Sequence, residues 1–372
     1  MKLTKRGRDW LLIAAAALGF HYLMMALHLF VSAGSFTFSA LGELISQRLM
    51  APGDATRYID IAQNGYVTQG ENAINLVFYP LYPLLMRSLG WLTFSLPLAG
   101  VILSHIGYCA ASILLYELIL LDGDRRNAWD GVLLMTLYPF SMFALGVFTE
   151  GIFLALSIGC LYALRKKNFL AAGIVGFLAA LTRTQGMLLF FPAVYEWVTL
   201  RFGPGKKKRR WRDLFLLLIP AGFGVYLGIN GALYGNCFQF LTFEAGEPWY
   251  QSTQWIGQNI ALQYGLAGQY PGLAWYIYVL QIALYFFILA VLGWGVCQKE
   301  RMAYLLYGGV YLGFSYLSGW MISGGRYMLC CVPVYIILSK LRDGLPRRFL
   351  LLGAGLLFFL YSLLYLRGYA IM

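Results

Sequence analysis

The stretch APGDATRYIDIAQNGY, residues 51–66, places two aspartates and an arginine within a few residues of one another. The chain around it is 60% hydrophobic and only 12% charged, with a mean hydropathy of +0.66. Soluble domains carry about twice that share of charged residues, so the composition predicts an integral membrane protein. The interpretation of the stretch therefore depends on the side of the membrane on which it lies.

Apolar runs separated by short basic loops predict an all-α polytopic protein with about eleven transmembrane helices, each near the roughly 20 residues that a bilayer core requires. The first apolar run is too long for the hydrophobic region of a signal peptide, so we expect it to be retained as a span. The predicted spans are 10–32, 97–121, 128–148, 149–164, 169–184, 186–201, 213–235, 271–297, 302–320, 326–341 and 348–369.

These spans leave two long loops, 33–96 and 236–270, within one transmembrane domain that covers residues 1–372. With a cytoplasmic N-terminus, all but six of the 28 lysines and arginines lie in predicted inner segments, including the run GPGKKKRRWRD at 203–213. This distribution follows the positive-inside rule, so the net charge of +12 needs no nucleic-acid partner. We expect a multi-pass protein of the cytoplasmic membrane whose two long loops are extracytoplasmic.

The six remaining arginines lie on the predicted outer side or within the membrane: Arg48, Arg57, Arg87, Arg183, Arg326 and Arg367. Charged residues at membrane depth are costly and usually face a cavity or a partner. Snorkelling towards headgroup phosphates is the alternative for Arg183 and Arg326. Glu150 lies at a predicted outer turn, where a helix cap or an arginine partner is the alternative to a functional role.

Within the first loop, Asp54 occupies a helix N-cap position and Gly65 lies where a helix should end, which predicts a short helix over 55–63. Asp54 as a simple cap, and Arg57 with Asp60 as a surface ion pair of little energy, are the alternatives to function. The following run NLVFYPLYPLLMRSLGWLTF, 75–94, is amphipathic and aromatic, and it is suited to lie in the outer interface.

Together these features indicate a type of chemistry. Arginines bind phosphate through paired, charge-assisted hydrogen bonds, and a carboxylate can take a proton from a hydroxyl. Such a site suits a lipid-linked phosphosugar donor and a hydroxyl acceptor. A lipid or small-anion transporter is the alternative, but it should show internal inverted repeats and charges near the membrane midplane.

Four ordered motifs carry a resemblance to a known family: GDATRYIDIAQNGY at 53–66, FYPLYPLL at 78–85, FTEGIFLAL at 148–156 and LTRTQG at 181–186. Over residues 50–195 the chain resembles the PIG-V-type, GPI mannosyltransferase 2-like enzymes of the GT-C glycosyltransferase superfamily. The resemblance implies a GT-C-like fold and a transferase that depends on a polyprenyl-phosphate sugar.

The same resemblance assigns roles to single residues. Asp54 matches the acidic residue of the family's first outer loop and would be the catalytic base, although the family's preceding tryptophan is Gly53 here. The second half of the chain matches chiefly through GGRY at 324–327. Together with Arg57 and Asp60, which the charge distribution and the helical spacing indicate, the motif residues that would bind the donor phosphate or the substrate are Tyr58, Glu150, Arg183, Gln185 and Arg326.

We therefore expect an inverting, extracytoplasmic transfer of a hexose, with mannose as the first candidate and another sugar as an open alternative. The expected partners are the polyprenyl-phosphate-linked donor, a glycan or glycolipid acceptor and membrane lipids, without nucleic acid. No metal or other cofactor is expected, because arginines can stabilise the departing phosphate.

Overall fold

The structure is a computed structural model that describes residues 5–51, 53–204, 208, 210–272, 274–317, 319, 323–369 and 371. Pro52, and Lys206, Lys207 and Arg209 of the predicted basic inner run, lie outside the described residues. The described part of the chain folds into helices and contains no β-strand.

The α-helices are α1 (Lys5–Ala33), α2 (Phe38–Ile45), α3 (Ala55–Asn64), α4 (Leu81–Thr93), α5 (Leu96–Ile119), α6 (Arg125–Thr136), α7 (Glu150–Arg165), α8 (Phe169–Ala180), α9 (Phe190–Phe202), α10 (Leu218–Tyr234), α11 (Gln239–Ala245), α12 (Ile256–Gln269), α13 (Leu280–Cys297), α14 (Met302–Tyr316), α15 (Gly324–Met328), α16 (Val332–Leu338) and α17 (Leu345–Arg367). Short 3-10 or π-helical turns occupy Ser46–Met50, Glu71–Val77, Ser141–Ala144, Thr184–Leu189, Trp211–Leu217 and Ala274–Val279.

Five helical stretches among the described residues are long and apolar enough to cross a membrane: Arg6–Ser32, Leu96–Ile119, Trp211–Tyr234, Ala274–Cys297 and Leu345–Arg367. They coincide with five of the predicted spans. The other six predicted segments contain shorter helices, and prolines account for two of the interruptions. Pro139 follows the end of α6, and Pro333 stands in the first turn of α16, where its ring is tolerated because no helical N–H is lost.

The chain divides into two compact units. The first comprises Met1–Gln63, Pro83–Ile158 and Leu338–Ile371, and the second comprises Asn64–Tyr82 and Gly159–Ile337. The single transmembrane domain over residues 1–372 stays a prediction.

In the first unit, ion pairs join helix ends that the sequence places on the inner side. Arg6 at the start of α1 binds Glu117 near the end of α5, with a shortest distance of 2.5 Å. Arg347 at the start of α17 donates two hydrogen bonds of 2.6 Å to Asp130 of α6. These charge-assisted, partly buried pairs fix the helix ends against one another.

The second unit has a similar arrangement at its predicted inner end. Arg201 of α9 binds Asp213 through Nε at 2.7 Å and Nη2 at 2.6 Å, and both side chains are almost fully buried. Glu196, one and a half turns earlier in α9, binds both Lys167 and Arg301. The carboxylates thereby hold three loops that are distant in sequence.

Candidate functional site

The predicted helix of the first loop is present as α3. Asp54 immediately precedes it and is half-buried, and its carbonyl oxygen accepts the backbone N–H groups of Arg57 and Tyr58, each at 3.1 Å. Tyr58, Ile61 and Ala62, which helical spacing places on one side of α3, are buried. The side chain of Asp54 is therefore presented from the first turn of a packed, amphipathic helix.

Gly53, which stands where the resembled family has tryptophan, adopts a conformation that favours glycine. Its φ is +55°, a left-handed conformation that glycine adopts more readily than other residues. A Cβ at this position would meet nothing within 4 Å, so backbone conformation rather than lack of space favours glycine. At the other end of α3, Gly65 has a φ of +75° and ends the helix as predicted.

Arg57 and Asp60 lie one turn apart on α3, and both are half-buried. Their placement agrees with the sequence, while their roles in substrate binding stay predictions. The same first unit holds Glu150, which is fully buried at the first position of α7. A carboxylate at that position lies at the positive end of the helix dipole.

One backbone hydrogen bond joins the chain segments that carry Asp54 and Glu150. The N–H of Val147 donates to the carbonyl oxygen of Leu49 at 2.8 Å. Leu49 lies five residues before Asp54, and Val147 lies three residues before Glu150. The first unit therefore brings together the two acidic motifs that sequence analysis selected.

Arg48, one of the arginines that depart from the charge bias, has a structural explanation. A Cβ added to Gly368 would lie 2.4 Å from Nη1 of Arg48, so the guanidinium group sits against the C-terminal end of α17. The Tyr365 hydroxyl also donates to the Arg48 carbonyl oxygen at 2.6 Å. A cation at a helix C-terminus is favoured by the helix dipole, so Arg48 needs no substrate to account for it.

In the second unit, the LTRTQG motif forms a tight turn after α8. The N–H of Gly186 donates to the Arg183 carbonyl oxygen at 2.9 Å. A Cβ at Gly186 would lie 2.2 Å from the Ala179 carbonyl oxygen, so only glycine allows the turn to fold back on α8. Gln185 is buried in this turn, whereas Arg183 is half-buried.

The FYPLYPLL motif is hydrogen-bonded to this turn. The N–H of Leu81 donates to the Leu181 carbonyl oxygen at 3.0 Å, and the Thr184 hydroxyl donates to the Tyr79 hydroxyl at 2.9 Å. The Tyr79 ring is stacked on Tyr226 with 4.0 Å between ring centroids. Two motifs that lie a hundred residues apart in sequence are therefore in direct contact.

The turn also reaches the GGRY motif. The Arg183 guanidinium carbon lies 5.1 Å from the ring centroid of Tyr327, which is the geometry of a cation–π contact. Tyr311 donates a hydrogen bond of 3.1 Å to the Tyr327 carbonyl oxygen. Arg326, the preceding residue in α15, is buried. The second unit thus brings Arg183 and the motif of Arg326 together, as a shared phosphate site would need.

Glu244 was not selected from the sequence, although it is a lone acid in the apolar segment FLTFEAG of the second long loop. Burial raises the pKa of its carboxyl group to about 7. The carboxylate is close enough to Tyr79 for its charge to raise the pKa of the Tyr79 hydroxyl further. It forms no ion pair with any residue of the described chain, so its charge is uncompensated when it ionises.

The predicted site residues divide between the units. Asp54, Arg57, Tyr58, Asp60 and Glu150 belong to the first unit, and Arg183, Gln185 and Arg326 belong to the second. Among the described residues there is no group of three or more His, Cys, Asp or Glu side chains that could hold a metal ion.

The fold is similar to that of ArnT from Cupriavidus metallidurans bound to undecaprenyl phosphate, with 14% identity and a TM-score of 0.53 over 88% of this chain and 60% of that chain. It is also similar to the Archaeoglobus fulgidus oligosaccharyltransferase tethered with an acceptor peptide, with 13% identity and a TM-score of 0.45 over 96% and 55% of the two chains. Both are GT-C glycosyltransferases, and the likeness to ArnT confirms the predicted GT-C-like, all-α polytopic fold.

The chain spans less than two thirds of the length of either of these proteins. No protein-family model and no curated protein sequence matches it significantly. The PIG-V subtype therefore stays a prediction.

Proposed function

We propose that this protein is an inverting glycosyltransferase that moves a hexose from a polyprenyl-phosphate donor to a hydroxyl acceptor at the extracytoplasmic face of the cytoplasmic membrane. The GT-C-like fold supports the class of reaction, and the ArnT structure contains undecaprenyl phosphate, a lipid of the kind that the donor would carry. The ordered motifs favour mannose as the sugar and a glycan or glycolipid as the acceptor.

The observation that carries the proposal is the contact of Arg183 with Tyr327, beside the buried Arg326. Three motifs, from residues 78–85, 181–186 and 324–327, converge around this contact. Arginine binds phosphate with a planar, bidentate set of donors. Arg183 and Arg326 would together bind the phosphate of the donor and stabilise the negative charge that develops as the phosphate leaves.

Asp54 is proposed as the general base. It would take the proton of the acceptor hydroxyl while the hydroxyl oxygen forms a bond to the anomeric carbon. The bond between that carbon and the phosphate oxygen breaks, and the lipid phosphate leaves with the electron pair. One carboxylate suffices, because the leaving group is an anion that needs no proton, and attack from the opposite side inverts the anomeric centre.

The other site residues are proposed to position these groups. Arg57 and Asp60 would orient the substrate beside Asp54, and Tyr58 would hold α3 in place through its buried ring. Glu150 would accept hydrogen bonds from substrate hydroxyls or from an arginine. Gln185 would fix the turn of Arg183. The proposed reaction needs no metal ion, because positive charge on the arginines replaces it.

The test is transfer by the purified full-length protein in nanodiscs, supplied with polyprenyl-phosphate mannose and with other polyprenyl-phosphate hexoses. General-base catalysis contributes about 100- to 10,000-fold to a rate, so Asp54→Asn should lower kcat by that factor. Asp343→Asn is the matched control, because Asp343 is an exposed partner of Arg126 at the predicted inner end. It should transfer at the rate of the unmodified protein.

Near-normal turnover by a folded Asp54→Asn variant would remove Asp54 as the base. Absence of transfer with every donor, together with lipid or anion movement across proteoliposomes, would replace the enzyme by a transporter. Equal transfer of several hexoses would retain the enzyme and reject mannose specificity.

A further inference from the structure

Helix α12 has its polar side turned inward. Asn259 and Gln263 lie one turn apart on the same side of the helix, and both are almost fully buried. Leu262 and Tyr264 on the other sides are exposed. This is the reverse of a water-facing surface helix. Apolar residues that face outward suit contact with lipid, and the buried amides then face the protein interior.

A buried glutamine on the next helix lies in the same region. Gln281, at the second position of α13, is fully buried, and its Oε1 accepts the N–H of Gly325 at 2.5 Å. Tyr316 connects the two helices. Its carbonyl oxygen accepts Asn259 Nδ2 at 2.9 Å, and its hydroxyl donates to the Gln281 carbonyl oxygen at 3.3 Å. Polar groups from α12, α13 and α14 therefore converge within the second unit.

Buried atoms of this cluster lack hydrogen-bond partners in the described part of the chain. Among them are the acceptor Oε1 of Gln263 and the donor Nε2 of Gln281. A buried polar atom without a partner is unfavourable, and folded proteins retain few of them. One unsatisfied acceptor and one unsatisfied donor suit a hydroxyl group, which donates and accepts at once.

The location of the cluster indicates which hydroxyl groups it would meet. Gln281 holds the backbone of Gly325, the residue immediately before Arg326. A donor lipid whose phosphate is bound by Arg326 carries its sugar one bond away from that phosphate. Neutral amides match an uncharged, polyhydroxylated group better than they match an anion or a cation.

We propose that Gln263 and Gln281 bind hydroxyl groups of the transferred hexose and thereby set which sugar the protein accepts. This assignment rests on the proposed glycosyl transfer, which supplies the sugar-bearing lipid. It predicts that the two amides recognise the sugar while contributing nothing to binding of the lipid phosphate.

The experiment compares binding of polyprenyl-phosphate mannose with binding of sugar-free polyprenyl phosphate to the full-length protein. Gln263→Met removes the unsatisfied acceptor at nearly constant volume. It should raise the Kd of the mannose-bearing lipid about 10-fold, the effect of one lost hydrogen bond, and leave the Kd of polyprenyl phosphate unchanged. The control is Gln269→Met, at the exposed last position of α12, which should change neither Kd.

Two results would overturn the proposal. Unchanged binding of both lipids by Gln263→Met would mean that the amide holds only buried water. Equal weakening for both lipids would indicate a distorted site rather than lost hydroxyl recognition. A second measurement does not depend on the folding of Gln263→Met: the unmodified protein is also tested with mono-deoxymannose donors. At least one of these should bind about 10-fold more weakly, and uniform affinity across the series would refute the proposal.

The binding measurement needs no turnover, so it separates this inference from the proposed function. A protein that prefers the mannose-bearing lipid through Gln263 but transfers no sugar would refute the transferase and retain the sugar site. A protein that transfers mannose while Gln263→Met keeps the same preference would retain the transferase and refute the sugar site.

Discussion

Polar side chains at the two ends of the second unit differ in the partners that the protein provides for them. At the predicted inner end, Asp213 receives two hydrogen bonds from Arg201, and Glu196 binds a lysine and an arginine. At the predicted outer end, Glu244 has no ion-pair partner among the described residues, and Gln263 and Gln281 retain unsatisfied atoms. The inner carboxylates have cationic partners within the protein, whereas among the described residues Glu244 has no such partner.

This difference separates structural from functional polar groups. Removing one partner of a buried ion pair leaves the other charge stranded, so the inner pairs should affect stability. An unsatisfied polar atom costs stability in the free protein and gains its partner only from a ligand. The outer groups should therefore affect binding and turnover more than folding.

The largest effect is expected at the buried inner pair. Asp213→Ala strands Arg201, and breaking a buried ion pair costs about 3–5 kcal/mol. Thermal unfolding in detergent measures the loss. Asp343→Ala breaks an ion pair whose carboxylate is exposed, and it should cost less than about 1 kcal/mol. Equal losses for the two variants would mean that burial does not distinguish these pairs.

Replacing Arg183 is expected to lower turnover more than stability. Arg183→Gln should lower transfer about 100-fold, as expected when one group that stabilises the departing charge is removed. The unfolding midpoint should change less than in Asp213→Ala, because the Arg183 side chain is half-buried whereas the Asp213 and Arg201 side chains are almost fully buried. Arg183→Lys keeps the charge without the bidentate geometry. Its rate of transfer should lie between the rates of the unmodified protein and of Arg183→Gln. A large loss of stability with normal turnover per folded molecule would instead assign Arg183 to the structural class.

The local features of the first loop could be predicted from sequence because they depend on neighbouring residues. The N-cap position of Asp54, the end of α3 at Gly65 and the burial of Tyr58 follow from capping, glycine and helical spacing. The five long spans are equally local, since length and hydropathy define them. Breaks near Pro139 and Pro333 are visible in the sequence, but their effect on each span depends on packing.

Contacts between distant segments leave no comparable pattern in the sequence. Arg183 and Tyr327 are separated by most of the second half of the chain, so periodicity could not pair them. Gln281 did carry a signal, as an isolated amide in a strongly apolar run, and intramembrane polar residues are often functional. Its relation to Gln263 needed the fold, because Tyr316 on a third helix is hydrogen-bonded to Gln281 and to Asn259, which lies one turn before Gln263.

A smaller effect is expected from the glycine that shapes the Arg183 turn. Gly186→Ala would place Cβ 2.2 Å from the Ala179 carbonyl oxygen, and such overpacking costs about 1–3 kcal/mol. The displaced turn should also lower transfer. Gly224→Ala is the control, because a Cβ added to this glycine of α10 would have no atom within 4 Å. It should leave stability unchanged or raise it by up to about 1 kcal/mol.

The last and most specific effect concerns Glu244. Its folded-state pKa is raised from 4.5 to about 7 by burial, so the folded protein keeps this proton over a range where the unfolded chain has lost it. The contribution to stability is complete below the unfolded pKa and is lost as pH rises through about 7. Glu244→Gln should remove this slope and become progressively more stable than the unmodified protein between pH 5 and pH 7. Unfolding midpoints measured across that range test the sign, and parallel curves for the two proteins would mean that Glu244 has a cationic partner after all, like the carboxylates of the inner end.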